Sequence, residues 1–147
     1  MKKPKKKVLF VCKHNMFRSR VAEEFFNKYN KNNKWIADSA GIIRWDSKNL
    51  KKDKEYIAER TAAKEAGINI YPKPRSLDSS LLNHTKVVII VANDVPRVVF
   101  NDKSFNGKVK IWKIRDVLPK DKNKLASARK SVEEIKKKII KFVENLR

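Results

Sequence analysis

A thiol, a guanidinium and a hydroxyl stand close together near the start of this sequence: Cys12, then Arg18 and Ser19 after five intervening residues. The stretch Cys12-Lys13-His14-Asn15-Met16-Phe17-Arg18-Ser19 follows the apolar run Val8-Leu9-Phe10-Val11. It precedes a segment in which Val21, Ala22, Phe25, Phe26 and Tyr29 fall at helical spacing. A loop that wraps from a strand into a helix start aims several backbone N–H groups at one spot, where the helix dipole adds positive potential. A dianionic phosphoryl group suits such a cup, and the planar fork of Arg18 could hold two of its oxygens. The same field favours the thiolate, the nucleophilic form of cysteine, and the Ser19 hydroxyl could donate a hydrogen bond to that sulfur. A Cys and an Arg at this spacing mean little alone in a chain with 37 Lys and Arg. The conjunction of strand, loop, Arg-Ser and helix is specific. A cysteine acting only as a small hydrophobe at a strand end is the alternative.

The elements that must position this loop follow from periodicity. A strand over 6–12, apolar on consecutive positions, suits burial on both faces of a parallel sheet. The pattern then predicts a helix over 18–30, a strand over 34–40 closed by Gly41, and a helix over 53–66 with Gly67 beyond its C-terminus. A loop punctuated by Pro72 and Pro74 leads to a short helix over 77–83. The stretch 86–92 is the clearest strand, Asn93-Asp94 could cap a helix beginning near Val95-Pro96, and a fourth strand covers 108–114. A last helix over 125–146 carries one stripe of Val132, Ile135, Ile139, Phe142, Val143 and Leu146. Strands alternating with helices imply an α/β domain, doubly wound, with a four-stranded parallel sheet and helices on both faces. Residues 1–6 read as a basic, mobile tail and 7–147 as a single domain. In such sheets ligands bind beyond the carboxyl ends of the strands, where the loop after Cys12 lies.

Composition bounds the partners. The chain has 147 residues and 41 % apolar residues, enough for one core. No apolar run approaches the length of a membrane span, and the one cysteine excludes an intrachain disulfide and any multi-cysteine zinc site. The Val8–Cys12 run is too short for a signal-peptide core, which points to a cytoplasmic protein. The net charge of +21 attracts polyanions, but the lysines are scattered along the chain without an aromatic-interleaved stripe, so specific nucleic-acid binding is not expected.

Val8 through Ala22 resembles the opening of the low-molecular-weight protein tyrosine phosphatases, and the related arsenate reductases open in a similar way. The resemblance continues through Asp38-Ser39-Ala40-Gly41, Trp45, Arg75, Ala92-Asn93-Asp94 and Trp112-Lys113-Ile114-Arg115-Asp116. It implies a two-step phosphoryl transfer with Cys12 as nucleophile, Arg18 and the loop amides as oxyanion holders, and Asp116 as acid and then base. Lys13, His14, Asn15, Met16, Phe17 and Ser19 would surround the substrate phosphate, with Trp45 against an aromatic ring. Asn15 and Ser39 would brace the loop. No metal and no cofactor are implied; the partner is a phosphorylated protein or a small aryl phosphate.

The chain departs from that pattern at several points. His14 stands where the family often has glycine, so the loop has none and Asn15 must take any left-handed conformation. Phe17 stands where many relatives have a second cysteine, leaving oxidised Cys12 without a resolving partner. Pro72 replaces a histidine of the bracing network, and Val117-Leu118 replace a proline and aromatic pair. Other readings of the same residues are an arsenate reductase that uses an external thiol, a phosphoryl carrier, and a non-enzymatic module binding phosphopeptides.

Overall fold

The computed structural model describes residues 4–43, 53–70, 73–101 and 105–147. Four strands, β1 (Lys6–Cys12), β2 (Trp35–Gly41), β3 (Thr85–Val91) and β4 (Lys108–Trp112), pair in parallel in the order β2-β1-β3-β4. The three α-helices are α1 (Arg18–Tyr29), α2 (Lys54–Glu65) and α3 (Lys124–Glu144). The fold class is therefore the expected α/β one. Strand pairing takes in Lys6, opposite Trp35. Chain order reverses between β1 and β3, so the loop after β1 emerges at the switch point, where such sheets leave a crevice.

The central strands explain their own sequence. Alternate β1 residues feed two cores, so both faces had to be apolar. Val8 and Phe10, with Ile89 and Val91 of β3, meet Phe25 and Phe26 of α1, Ala62 and Ala63 of α2, and Ile135 and Ile139 of α3. Leu9, Val11, Val88 and Ile90 face the other way, toward Val95, Phe100 and Phe105 and the partly buried Leu81 and Leu82. Helical segments thus cover both faces, but unequally: all three α-helices lie on one, and 3-10 turns at Ser79–Leu82 and Arg97–Phe100 on the other.

Asn93-Asp94 do not start a helix. Pro96 is extended and only one 3-10 turn follows, because Asp94 is turned toward Arg18 and the Asn93 amide donates to the Ile114 carbonyl. β4 stops at Trp112, two residues earlier than the sequence pattern predicts. There the chain bends, with the Ile114 amide donating to the Trp112 carbonyl at 2.8 Å. On this edge strand Ile111 stays 40 % exposed, while Val109 packs on the second core. Asp53 caps α2 by accepting from the Tyr56 amide at 2.8 Å, and Gly67 with φ +81° turns the chain beyond it. Among the described residues, no helix is long and apolar enough to cross a membrane.

Ile135 is wholly buried where α3 meets the rest of the first core. Replacing it with Ala should lower unfolding free energy by about 2–5 kcal/mol, read from the denaturant midpoint at unchanged slope.

Candidate active site

The loop from Lys13 to Phe17 holds its shape without glycine because Asn15 adopts φ 58°, a conformation asparagine tolerates better than most residues. Its side chain, fully buried, is fixed at three points. Nδ2 donates to Ser19 Oγ at 2.7 Å and to Ser39 Oγ at 3.0 Å, and Oδ1 accepts from the Arg75 amide at 2.9 Å. Ser39 passes its own hydrogen to Glu23 Oε1 at 2.6 Å. With its lone pair taken by Asn15, the Ser19 hydroxyl has its proton free for Cys12 Sγ, 3.0 Å away. The Asn15 amide also donates to that sulfur, at 3.3 Å. These two donors stabilise negative charge on sulfur, and Cys12 is 2 % exposed with its side chain lining the crevice.

Gly41, at the end of β2, presses against the loop from outside. A Cβ there would lie 2.6 Å from the His14 carbonyl carbon and 2.8 Å from the Asn15 nitrogen. That close approach lets the Ile42 and Ile43 amides donate to the Cys12 and Lys13 carbonyls. The first turn of α1 carries no acidic side chain, so its leading amides keep their positive end toward the loop.

Arg18 is 2 % exposed, and both of its terminal nitrogens have partners. Nη1 donates to the Ile114 carbonyl at 3.0 Å and pairs with Asp94 Oδ1 at 3.1 Å, while Nη2 lies 3.5 Å from Asp116 Oδ2. Burial works against the guanidinium charge, but Cys12, Asp116 and Asp94 outweigh it and hold Arg18 above its usual pKa. Asp116 retains 27 % exposure, so a carboxyl oxygen is open to a ligand.

Cys12, Arg18 and Asp116 open on one crevice of about 210 Å³, walled by His14, Met16 and Phe17 on the loop side. Tyr56, Glu59, Asp53 and Glu55 of α2 and its cap complete it, with Val117, Leu118 and Pro119. Its floor can hold a tetrahedral oxyanion against sulfur and guanidinium, and its walls are mixed apolar and acidic. His14 is a half-buried wall residue. Burial and Lys13 depress its pKa, which keeps it neutral at physiological pH. Lys13, Asn15 and Ser19 are not among the described residues lining the crevice; Asn15 and Ser19 stand behind the loop as struts. Trp45 and Pro72 lie outside the described residues.

Sequence reasoning missed four contributors. Asp94 was read as a cap and as part of the resemblance but not as a partner of Arg18, although its place at the end of β3, beside β1, was a signal. Glu23 had the weaker signal of following Ser19 by one helical turn. Tyr56 read only as part of the helical pattern of α2, and Glu59 gave no signal.

A thiol and an arginine joined by an anion-binding loop, at the switch point of a parallel α/β sheet, define the class of cysteine-based phosphatase-type folds. The chain belongs to a family within it: residues 7–147 match the low molecular weight phosphotyrosine protein phosphatase family. It is similar to the arsenate reductase of Archaeoglobus fulgidus at 29 % identity and TM-score 0.72, over 94 % of this chain and 99 % of that one. A low-molecular-weight protein tyrosine phosphatase from T. tengcongensis aligns at 26 % identity and TM-score 0.67, over 96 % and 99 %. The YwlE arginine phosphatase of Geobacillus stearothermophilus shares the fold at 17 % identity and TM-score 0.73, over 95 % and 91 %. No curated protein matches the chain.

Two outcomes follow from this geometry. Gly41→Ala should cost about 1–3 kcal/mol, because backbone rather than a flexible side chain must move, and should weaken phosphate binding measured by calorimetry. Burial first, then Asp116, Asp53 and Cys12, push the Glu59 carboxyl well above its ordinary 4.5. The native state therefore keeps this proton to higher pH than the unfolded chain, and stability falls as pH rises from 4.5 through the raised value. Thermal midpoints of Glu59→Gln should lack that part of the decline.

Proposed function

We propose that the protein is a cysteine-dependent phosphatase that hydrolyses phosphotyrosine or a similar aryl phosphate through a cysteinyl-phosphate. The observation that carries this reading is the convergence of Cys12, Arg18 and Asp116 on one crevice from the ends of β1, α1 and the segment after β4. Sulfur attacks phosphorus as the ester oxygen departs with a proton from Asp116. The Asp116 carboxylate then takes a proton from a water whose oxygen bonds to phosphorus as the P–S bond breaks, releasing phosphate and restoring the Cys12 thiolate and the protonated Asp116. Arg18 and the loop amides hold the equatorial oxygens throughout, the electrostatic contribution expected to dominate. Apolar Met16, Val117, Leu118 and Pro119 suit an aryl leaving group, and Trp45 is proposed as a further ring contact. No metal or cofactor enters this scheme. A nucleophile that must stay reduced fits the cytoplasm.

A second reading, arsenate reduction, draws on the similarity to the Archaeoglobus fulgidus enzyme. Cys12 is the only cysteine, so the electrons would have to come from an external thiol.

Turnover of para-nitrophenyl phosphate should vanish in Cys12→Ser and fall on the order of 10²–10⁴-fold in Asp116→Asn, and a chelator should leave the wild-type rate unchanged. Arsenate-dependent oxidation of added glutathione without phosphatase activity would establish the second reading instead.

A further inference from the structure

Glu59 is a buried carboxyl that the scheme above does not use. It is 6 % exposed, and it lines the same crevice as Cys12, Arg18 and Asp116. Most neighbouring polar groups are bonded elsewhere: Asn15, Ser19, Ser39 and Glu23 to one another, and Arg18 to Asp94, Asp116 and Ile114. The Tyr56 hydroxyl, on the same wall of the crevice, has no partner among the described residues. No described residue donates to, accepts from or ion-pairs with the Glu59 carboxyl. The side chain is largely buried, but its carboxyl is not among the fully enclosed unpartnered groups; it opens on the crevice, where a ligand would sit.

The charges around it define that ligand. Asp53 and Tyr56 face it from α2 and its cap, with Glu55 one turn away. Asp116 faces it from the segment after β4, Cys12 from β1, Arg18 from α1 and His14 from the loop. Among the described residues lining it, the crevice thus holds the carboxyls of Asp53, Glu55, Glu59 and Asp116 against the guanidinium of Arg18, in a chain of charge +21. A phosphoryl dianion entering so acidic a space would be repelled by an ionised Glu59. Burial first, then the neighbouring negative groups, shift Glu59 toward its protonated form, and a protonated carboxyl is a donor in need of an acceptor.

We propose that Glu59 is a further substrate-binding residue, its carboxyl O–H donating a hydrogen bond to an oxygen of the phosphoryl group seated in the loop. The proposal rests on the reading of the loop as a phosphoryl site and deepens it. Oxyanion recognition then comes from two sides, Arg18 with the loop amides on one and a neutral acid of α2 on the other. Ionisation of Glu59 turns that second side from donor to repeller.

The test compares wild type, Glu59→Gln and Glu59→Leu in calorimetric binding of inorganic phosphate and in KM for para-nitrophenyl phosphate, between about pH 6 and about pH 9. At the acid end Glu59→Leu should bind phosphate about tenfold more weakly, while the amide donor of Glu59→Gln holds it within about threefold of wild type. With rising pH the wild type should lose affinity faster than Glu59→Gln, a divergence to which the groups common to both proteins do not contribute. Equal phosphate affinity in wild type and Glu59→Leu, or parallel pH profiles in wild type and Glu59→Gln, would overturn the proposal. If Glu59→Leu does not fold, the comparison of wild type with Glu59→Gln decides alone. Phosphate binding that depends on residue 59 without ester turnover would refute the phosphatase reading and leave this inference standing. Turnover indifferent to residue 59 would do the reverse.

Discussion

A guanidinium withdrawn almost wholly from water must have its charge answered by carboxylates and its N–H groups by acceptors, or the fold loses several kcal/mol. Arg18 imposes that condition on two separate parts of the chain. It obliges β3 to end so that Asp94 reaches it, and the segment after β4 to present both the Ile114 carbonyl and Asp116. The bend after Trp112, which cuts β4 short, is what delivers those two groups. One buried cation therefore ties the start of α1 to the ends of two strands and, in the same contacts, brings the general-acid candidate beside the sulfur.

The second constraint is local. A loop with no glycine needs one residue to take the left-handed turn, and Asn15 does so because its amide is clamped by Ser19, Ser39 and the Arg75 backbone. The clamp also orders protons: every hydroxyl in the chain from Asn15 through Ser39 to Glu23 has a defined donor and acceptor. The proton left over on Ser19 points at Cys12. A bracing network of this kind rigidifies a site only when complete, and Glu23 completes it from within α1. The strut through Glu23 stands in a chain that has Pro72 where a histidine of the bracing network was expected.

Much of the architecture was legible from side-chain periodicity. The continuous apolar runs at Val8–Val11 and Val87–Ala92 announced strands buried on both faces, and the stripe along α3 announced its packing. The reading failed near Asp94, where a cap-forming residue was claimed by a distant arginine, and at Trp112, where the strand pattern continued but the chain turned to serve Arg18. Local propensity is a weak term beside a buried ion pair, so it lost in both places. Within the site, Cys12, Arg18 and Ser19 could be read because strand, loop and helix are contiguous. Glu59 could not, since a glutamate on an amphipathic helix reads as solvent-facing until the neighbouring elements enclose it.

By itself, then, the sequence determined the strand–loop–helix unit that carries sulfur and guanidinium, because those residues interact over fewer than ten positions and need no knowledge of the rest. The tertiary structure decided which carboxyls meet them. Asp94, Asp116 and Glu59 come from a strand end, a turn and a helix far along the chain. Only the β2-β1-β3-β4 order and the packing of α2 bring them to the same crevice.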